Sequence, residues 1–292
     1  MRKRKITALM GAGFAALLVL TGCAEGAPGA HEPLEFEVAS DVALEGSPTY
    51  DAASQSGTIR VGVKEDQPGL GYLDATTGER SGFDVDIARW IAASLGFSED
   101  QIEFQAIPSA NREQALVNGD IDYYVGTYSI TDERKTQIDF AGPYYVTGQG
   151  LLVRADSDIA SEADLGADTN VCSATGSTPI QNIRDNYPEV PVTEFDTYSQ
   201  CVEALTNNQV DVVTTDEAIL LGYAAEQPED LKVVGEPFTE ENYGIGLPLG
   251  DDALRTFIND TLENGGETWQ EIYDHNLGAT GVAGEQPQVD RY

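Results

Sequence analysis

Two stretches of this chain repeat one plan. Residues 115–127, ALVNGDIDYYVGT, align without gaps on residues 204–216, ALTNNQVDVVTTD. Each reads as a helix, a tight turn, an Ile/Val–Asp pair and a strand ending in polar residues. The alignment sets Thr127 against Asp216. Two related lobes would then each offer polar groups at the C-terminal end of an equivalent strand, the edge where open α/β sheets bind ligands. All βα units look somewhat alike, so an ordinary α/β repeat stays open beside this reading.

The neighbouring residues extend the pattern. TIRVGV (58–63) reads as a strand, and DVDIARWIAASLG as a helix with Val85, Ile87, Ala88, Ile91, Ala92 and Leu95 on one face and Gly96 as its stop. IEFQAI (102–107) is a strand, ANREQALVNG a helix and IDYYVG a strand. The second half repeats the order: strand TNVCS (169–173), helix TPIQNIRDN after the turn ATGS, strand VTEF, helix SQCVEALTNN and strand VDVVTT (210–215). This alternation predicts an α/β fold with largely parallel sheets. GQGLLVR (148–154) leaves the first lobe and NYGIGLPLG (242–250) returns to it, before the helices ALRTFINDTLENG and WQEIYDHNL. Lobe 1 is therefore expected over 58–149 and 243–280, and lobe 2 over 150–242. Two crossing strands make a hinge, and a hinge between lobes makes a closable cleft.

The ends read differently. MRKRK followed by the short apolar run ITALMGAGFAALLVL is an export signal rather than a membrane span. LTGC resembles a bacterial lipobox, which implies cleavage after residue 22 and a lipid on Cys23. Residues 23–57 lack apolar periodicity and read as a flexible acidic tether. Residues 281–292 read as a C-terminal tail. Losing the signal removes four basic residues and moves the formal charge from −34 to −38. Such a surface repels nucleic acid and anionic headgroups. A salt-adapted proteome would give the same charge without bearing on function.

Only twelve Lys and Arg residues follow the signal, so any cationic site draws on a short list. In an exported chain the two remaining cysteines, Cys172 and Cys201, favour a disulfide over buried free thiols. His31 and His275 form no ligand cluster, so neither a metal nor a cofactor is expected. In GTYSITDERKTQIDFAGPYY (126–145), the hydroxyls of Thr127, Ser129 and Thr131 precede Arg134. Hydroxyls with a guanidinium fork suit a carboxylate. A helix start capped by Ser129 or Thr131 fits equally well, and both readings stand on local grounds.

GFDVDIA (82–88), SITDERKTQIDFAGPYY (129–145), VDVVTTD (210–216) and YGIGLPLG (243–250) together resemble the extracytoplasmic solute-binding proteins (family 3) of polar amino-acid ABC transporters. The resemblance runs over essentially the whole folded region. It implies a two-lobe, periplasmic-binding-protein-like type II fold. By it, Arg134 holds the ligand's α-carboxylate, helped by hydroxyl and backbone groups at Gly126, Thr127 and Ser129. Backbone amides at Thr175, Gly176 and Ser177 are implied to add to this grip from the second lobe, and Asp216 to hold the α-ammonium.

Side-chain selection departs from the commonest pattern. Where binders of cationic amino acids and glutamine often carry an acid, this chain has Lys64. Where the family often has an aromatic wall, it has Ser109, followed by Arg112. The pair Asn111–Arg112 resembles the glutamate/aspartate-binding branch, and QPGLGY (67–72) the actinobacterial glutamate-binding proteins. An anionic side chain buried without partners is very unfavourable, so Lys64, Ser109 and Arg112 point to L-glutamate, with glutamine or aspartate as alternatives. The expected partners are that amino acid, an ABC permease and, through the lipid, the outer face of a cell membrane, in a Gram-positive bacterium and as a monomer. An enzyme is disfavoured. A dehydratase on this fold would need a tuned acid or base, and Asp216 and Glu65 have simpler roles. A sensor subunit is the third reading, though GVAGEQPQVDRY offers no apolar span for signalling unaided.

Overall fold

The computed structural model describes residues 33–278 and 284–292. The export signal, Cys23 and the start of the expected tether lie outside the described residues. The first lobe contains α1 (Pro48–Ser56), β1 (Ile59–Val63), β2 (Asp66–Gln67), β3 (Gly71–Leu73), β4 (Arg80–Ser81), α2 (Phe83–Ser94), β5 (Ile102–Ala106), α3 (Arg112–Asn118), β6 (Tyr123–Tyr124) and β7 (Ile138–Thr147). The second contains β8 (Gln149–Arg154), β9 (Val171–Ala174), α4 (Thr178–Asn186), β10 (Val192–Phe195), α5 (Tyr198–Thr206), β11 (Val212–Asp216), α6 (Glu217–Glu226) and β12 (Leu231–Val234). The chain returns through β13 (Glu241–Pro248) to α7 (Asp252–Asn264) and α8 (Gly266–Asn276).

Each lobe has a five-stranded sheet, ordered β5-β1-β6-β13-β7 in one and β10-β9-β11-β8-β12 in the other. The orders superimpose position for position, as the internal echo suggests. The expectation of largely parallel sheets needs correction. β1 runs parallel to β5 and β6, and β9 parallel to β10 and β11. The crossing strands β13 and β8 are antiparallel to both their neighbours. Each enters its sheet from the hinge end, against the direction of the βα units.

Only Gly148 separates β7 from β8, and a Cβ there would lie 2.3 Å from the Thr239 carbonyl oxygen. Opposite it, Glu241 of β13 pairs with Thr147. Sheet membership thus changes at two adjacent strands, which together form the hinge. α2 is buried over Phe83–Ala93 rather than along one stripe. It lies under α7 and α8 as well as against the sheet. Its charges are paired internally: Arg89 Nη1 donates to Asp86 Oδ1 at 3.1 Å, and Asn276 Nδ2 to Asp86 Oδ2 at 2.8 Å.

Over 33–57 the tether reading is overturned. Ser47 caps α1, accepting from Tyr50 N at 3.1 Å, and its hydroxyl donates to Asp251 Oδ2 at 2.8 Å. Ala39 N donates to Ala93 O at 2.9 Å, and Leu34, Phe36 and Leu44 pack on the core. These apolar residues act as isolated anchors, so no period announces them. The end of the tail is also docked. Asp290 N donates to Gly142 O and Phe140 N to the Tyr292 hydroxyl, at 2.9 and 2.8 Å, which covers the outer edge of β7.

Cys172 and Cys201 form a disulfide that ties α5 to β9 across 29 residues of sequence. Thiol counting on the unreduced protein is expected to find neither cysteine free. Closing a loop of that length stabilises by about 3.6 kcal/mol in the chain-entropy picture. The double variant Cys172→Ala/Cys201→Ala should lose about that much in urea unfolding; an unchanged midpoint would contradict this.

Candidate functional site

The lobe 1 wall is built from three loops that follow strands. After β1, Lys64 is 5% exposed and its Nζ donates to Ser109 Oγ at 2.7 Å. After β5, Ser109 begins a 3-10 turn that leads into α3. Arg112, at the start of α3, donates from Nε to Ser109 O at 3.1 Å and from Nη1 to Thr127 O at 3.2 Å. Its guanidinium lies 4.1 Å from the Tyr128 ring centre, and that of Arg134 lies 5.0 Å from the same ring. Lys64, Ser109, Arg112, Thr127 and Arg134 therefore form one buried cluster.

Arg134 reaches across the cleft. Nε donates to Glu113 Oε1 at 3.1 Å, Nη1 to Ser129 O at 2.7 Å and Nη2 to Gly176 O of lobe 2 at 3.1 Å. One N–H remains on each terminal nitrogen, as a bidentate grip on a carboxylate requires. The helix-start reading of this segment has its counterpart in the structure. Arg134 begins a 3-10 turn, and Thr131 Oγ1 accepts from its backbone N–H at 3.2 Å.

The lobe 2 wall faces this cluster. Ser177 caps α4, accepting from Ile180 N at 3.3 Å, with Ser173 Oγ 3.2 Å away. Gly176 has φ +77°, and a Cβ there would come within 2.7 Å of Ala110 Cα of lobe 1. A glycine is what lets the lobes meet at this point. Asp216 ends β11, 3% exposed, where the Tyr243 hydroxyl donates to Oδ2 at 2.6 Å and Oδ1 has no partner among the described residues. At the cleft mouth a cavity of about 700 Å³ is bordered by Ser109, Glu113, Arg134, Ser177, Thr178 and Glu241.

Burial perturbs the charges. Loss of solvent, then repulsion from Arg112, lowers the Lys64 ammonium to about 7. Loss of solvent, then the charge of Glu241, raises the Asp216 carboxyl to about 7. Such opposed shifts in one cleft mark a site that stores unbalanced charge.

Four expected ligand groups are placed otherwise, and one of them, the Ser177 N–H, donates to Ala174 O at 3.2 Å. Thr175 turns away, with its N–H and hydroxyl both directed to Phe195 O at 2.9 and 3.3 Å. Thr178 takes the inter-lobe position instead, its Oγ1 3.3 Å from Ser129 Oγ and donating to Glu241 Oε2 at 3.0 Å. Thr127 is fully engaged within lobe 1. Its N–H donates to Asp84 Oδ2 at 3.0 Å, its oxygen accepts from Arg112, and its hydroxyl meets the Gln67 amide at 3.2 Å. Its φ of +46° shows a loop shaped by those long-range bonds. Gly126 is buried beneath, where a Cβ would meet the Tyr124 hydroxyl at 2.8 Å. Glu113 and Glu241 join the site without any local motif that marks them, and Tyr243 joins it from the start of YGIGLPLG.

Over residues 59–279 the chain matches the bacterial extracellular solute-binding proteins, family 3. The chain belongs to this family. This solute-binding protein is 39% identical over 294 residues to the glutamate-binding protein GluB of Corynebacterium glutamicum, covering 97% of this chain and 93% of that one. It is 38% identical over 260 residues to the ABC transporter glutamine-binding protein GlnH of Bacillus subtilis, covering 89% and 92%. An ancestral arginine-binding protein bound to arginine superimposes with a TM-score of 0.71 at 36% identity, covering 76% of this chain and 99% of its own. The architecture is the two-lobe type II fold of such binding proteins.

Proposed function

We propose that this solute-binding protein captures L-glutamate outside the cell and delivers it to an ABC permease, tethered to the membrane by a lipid on Cys23. One observation carries the choice of ligand. Lys64, Arg112 and Arg134 converge, all buried, on one side of a cleft whose other side holds Asp216 with an unpartnered oxygen. Arg134 would take the α-carboxylate and Asp216 the α-ammonium. Lys64 and Arg112 would then neutralise a second carboxylate, since an unpaired charge in this setting is strongly unfavourable. The names of the relatives GluB and GlnH favour the same substrate class. Capture without chemistry accounts for Asp216 as a salt partner, so no acid or base is needed.

A thermal-shift panel tests this reading. L-glutamate should stabilise the protein more than L-glutamine, L-aspartate or L-arginine do. At 100 times Kd the gain is about 2.7 kcal/mol. Stabilisation by glutamine with none by glutamate would remove the Lys64/Arg112 assignment.

The effect of pH comes from the two shifted groups. Asp216 is raised from 3.8 to about 7 on folding, so native stability falls as pH rises through that window. Lys64 is lowered from 10.5 to about 7, so the unfolded chain holds the extra proton above neutrality and stability rises again up to 10.5. Together they give the ligand-free protein a stability minimum near pH 7. Glutamate reverses both shifts, so its affinity should peak near pH 7 and decline toward pH 5 and pH 9. Calorimetric titration across that range should show proton release on binding below the peak and uptake above it; a flat profile would contradict the pairing.

A further inference from the structure

Tyr198 stands at the seam between the lobes, its N–H bonded to Asp66 of lobe 1, outside every motif that marks the amino-acid grip. It is the first residue of α5 and 3% exposed. Its hydroxyl lies beside those of Ser177 and Thr215 and within the fields of Asp216 and of Arg112 from the opposite lobe. Thr215 Oγ1, fully buried on β11, has no hydrogen-bond partner among the described residues. Arg112 spends Nε and Nη1 on Ser109 O and Thr127 O, which leaves Nη2 to donate elsewhere. Lobe 2 hydroxyls therefore stand near Asp216 with bonding capacity to spare, and Arg112 of lobe 1 keeps a donor within reach of their field.

Contacts across the cleft hold Tyr198 there. Asp66 of lobe 1 accepts the N–H groups of Tyr198 and Ser199 on Oδ2, at 2.9 and 3.1 Å, at the N-terminus of α5. The Tyr223 hydroxyl of lobe 2 donates to Asp66 O. The Cys172–Cys201 disulfide fixes the same helix one turn further on. Parting the lobes would break the Asp66 bonds and withdraw the ring from Arg112.

We infer that Tyr198 is a specificity-determining residue that contacts the ligand, its hydroxyl donating to the terminal carboxylate of an acidic amino acid beside Arg112 and Thr215. Asp66 acts as a positioning residue that sets the ring in place as the lobes close. This assignment rests on the glutamate reading of the cleft. A charge-assisted hydrogen bond is about twice as strong as a neutral one. Loss of the hydroxyl should therefore cost a carboxylate more than an amide. A Thr215 hydroxyl otherwise left unpaired gains a partner in the same step.

The test is calorimetric titration of wild type, Tyr198→Phe and Asp66→Ala with L-glutamate and L-glutamine, with a melting curve for each. Tyr198→Phe should melt with wild type, lose about tenfold in glutamate affinity and lose distinctly less with glutamine. Asp66→Ala should weaken both ligands by one common factor, because it acts on closure. Equal losses for both ligands in Tyr198→Phe, or none, would overturn the assignment. Wild type that fails to bind glutamate would overturn the glutamate reading itself, and this inference with it.

Discussion

Replacing Asp216 with asparagine is expected to lower affinity for every α-amino acid by at least about a hundredfold, while stabilising the ligand-free protein at pH 8. Asparagine keeps an oxygen for the Tyr243 hydroxyl, which bonds Oδ2 at 2.6 Å, but loses the charge. An ammonium buried without its counter-charge costs about 3–5 kcal/mol, and each 1.4 kcal/mol is tenfold. The gain in the ligand-free form has the same origin. Burial and Glu241 hold the carboxyl up at about 7, so at pH 8 the native protein carries a charge its surroundings resist. Calorimetry should show the lost binding and urea unfolding the higher midpoint. Tight binding by the variant would mean that the ammonium sits elsewhere.

Lys64→Met should invert selectivity. The ammonium donates to Ser109 Oγ at 2.7 Å, and its remaining N–H groups are available to a ligand carboxylate. Removing one partner of a buried charge pair costs about 2–5 kcal/mol, so glutamate should lose at least about thirtyfold. Glutamine, with no charge to neutralise, should lose severalfold at most. The variant should also melt higher, since burial lowers the Lys64 ammonium to about 7 and methionine has no charge to desolvate. Parallel titrations with both ligands decide it, and equal losses would place Lys64 outside the side-chain subsite.

Legibility from sequence tracks the range of the interactions. α4 and β10 are legible to the residue, because Ser177 is a local cap, Pro179 a local start signal and Val192–Phe195 a short β-rich run. The strand expected at IDYYVG shrinks to Tyr123–Tyr124 in the ladder. Asp84, forty-three residues away in sequence, takes the Thr127 N–H and bends the chain there into a loop. Lys64, Ser109, Arg112 and Arg134 can be picked out because each falls where the resembling family carries a ligand group. Glu113, Glu241 and Thr178 cannot, since their roles depend on partners brought by folding. The register of ATGST is hidden for the same reason. Phe195 O of the neighbouring strand claims Thr175, and no local rule reveals that.

The docking of residues 33–47 and 284–292 has a mechanical side. Both segments fasten to lobe 1, through Ala93 and Asp251 at one end and Phe140 and Gly142 at the other. Lobe 2 enters at Gly148 and leaves at β13, as an insert between two parts of lobe 1. Tension applied between residues 33 and 292 would therefore run through lobe 1 alone. The hinge and the cleft lie off that load path. Were the chain held at its N-terminal segment, as proposed above, a pull at that point would load lobe 1 and leave the closure of the lobes untouched.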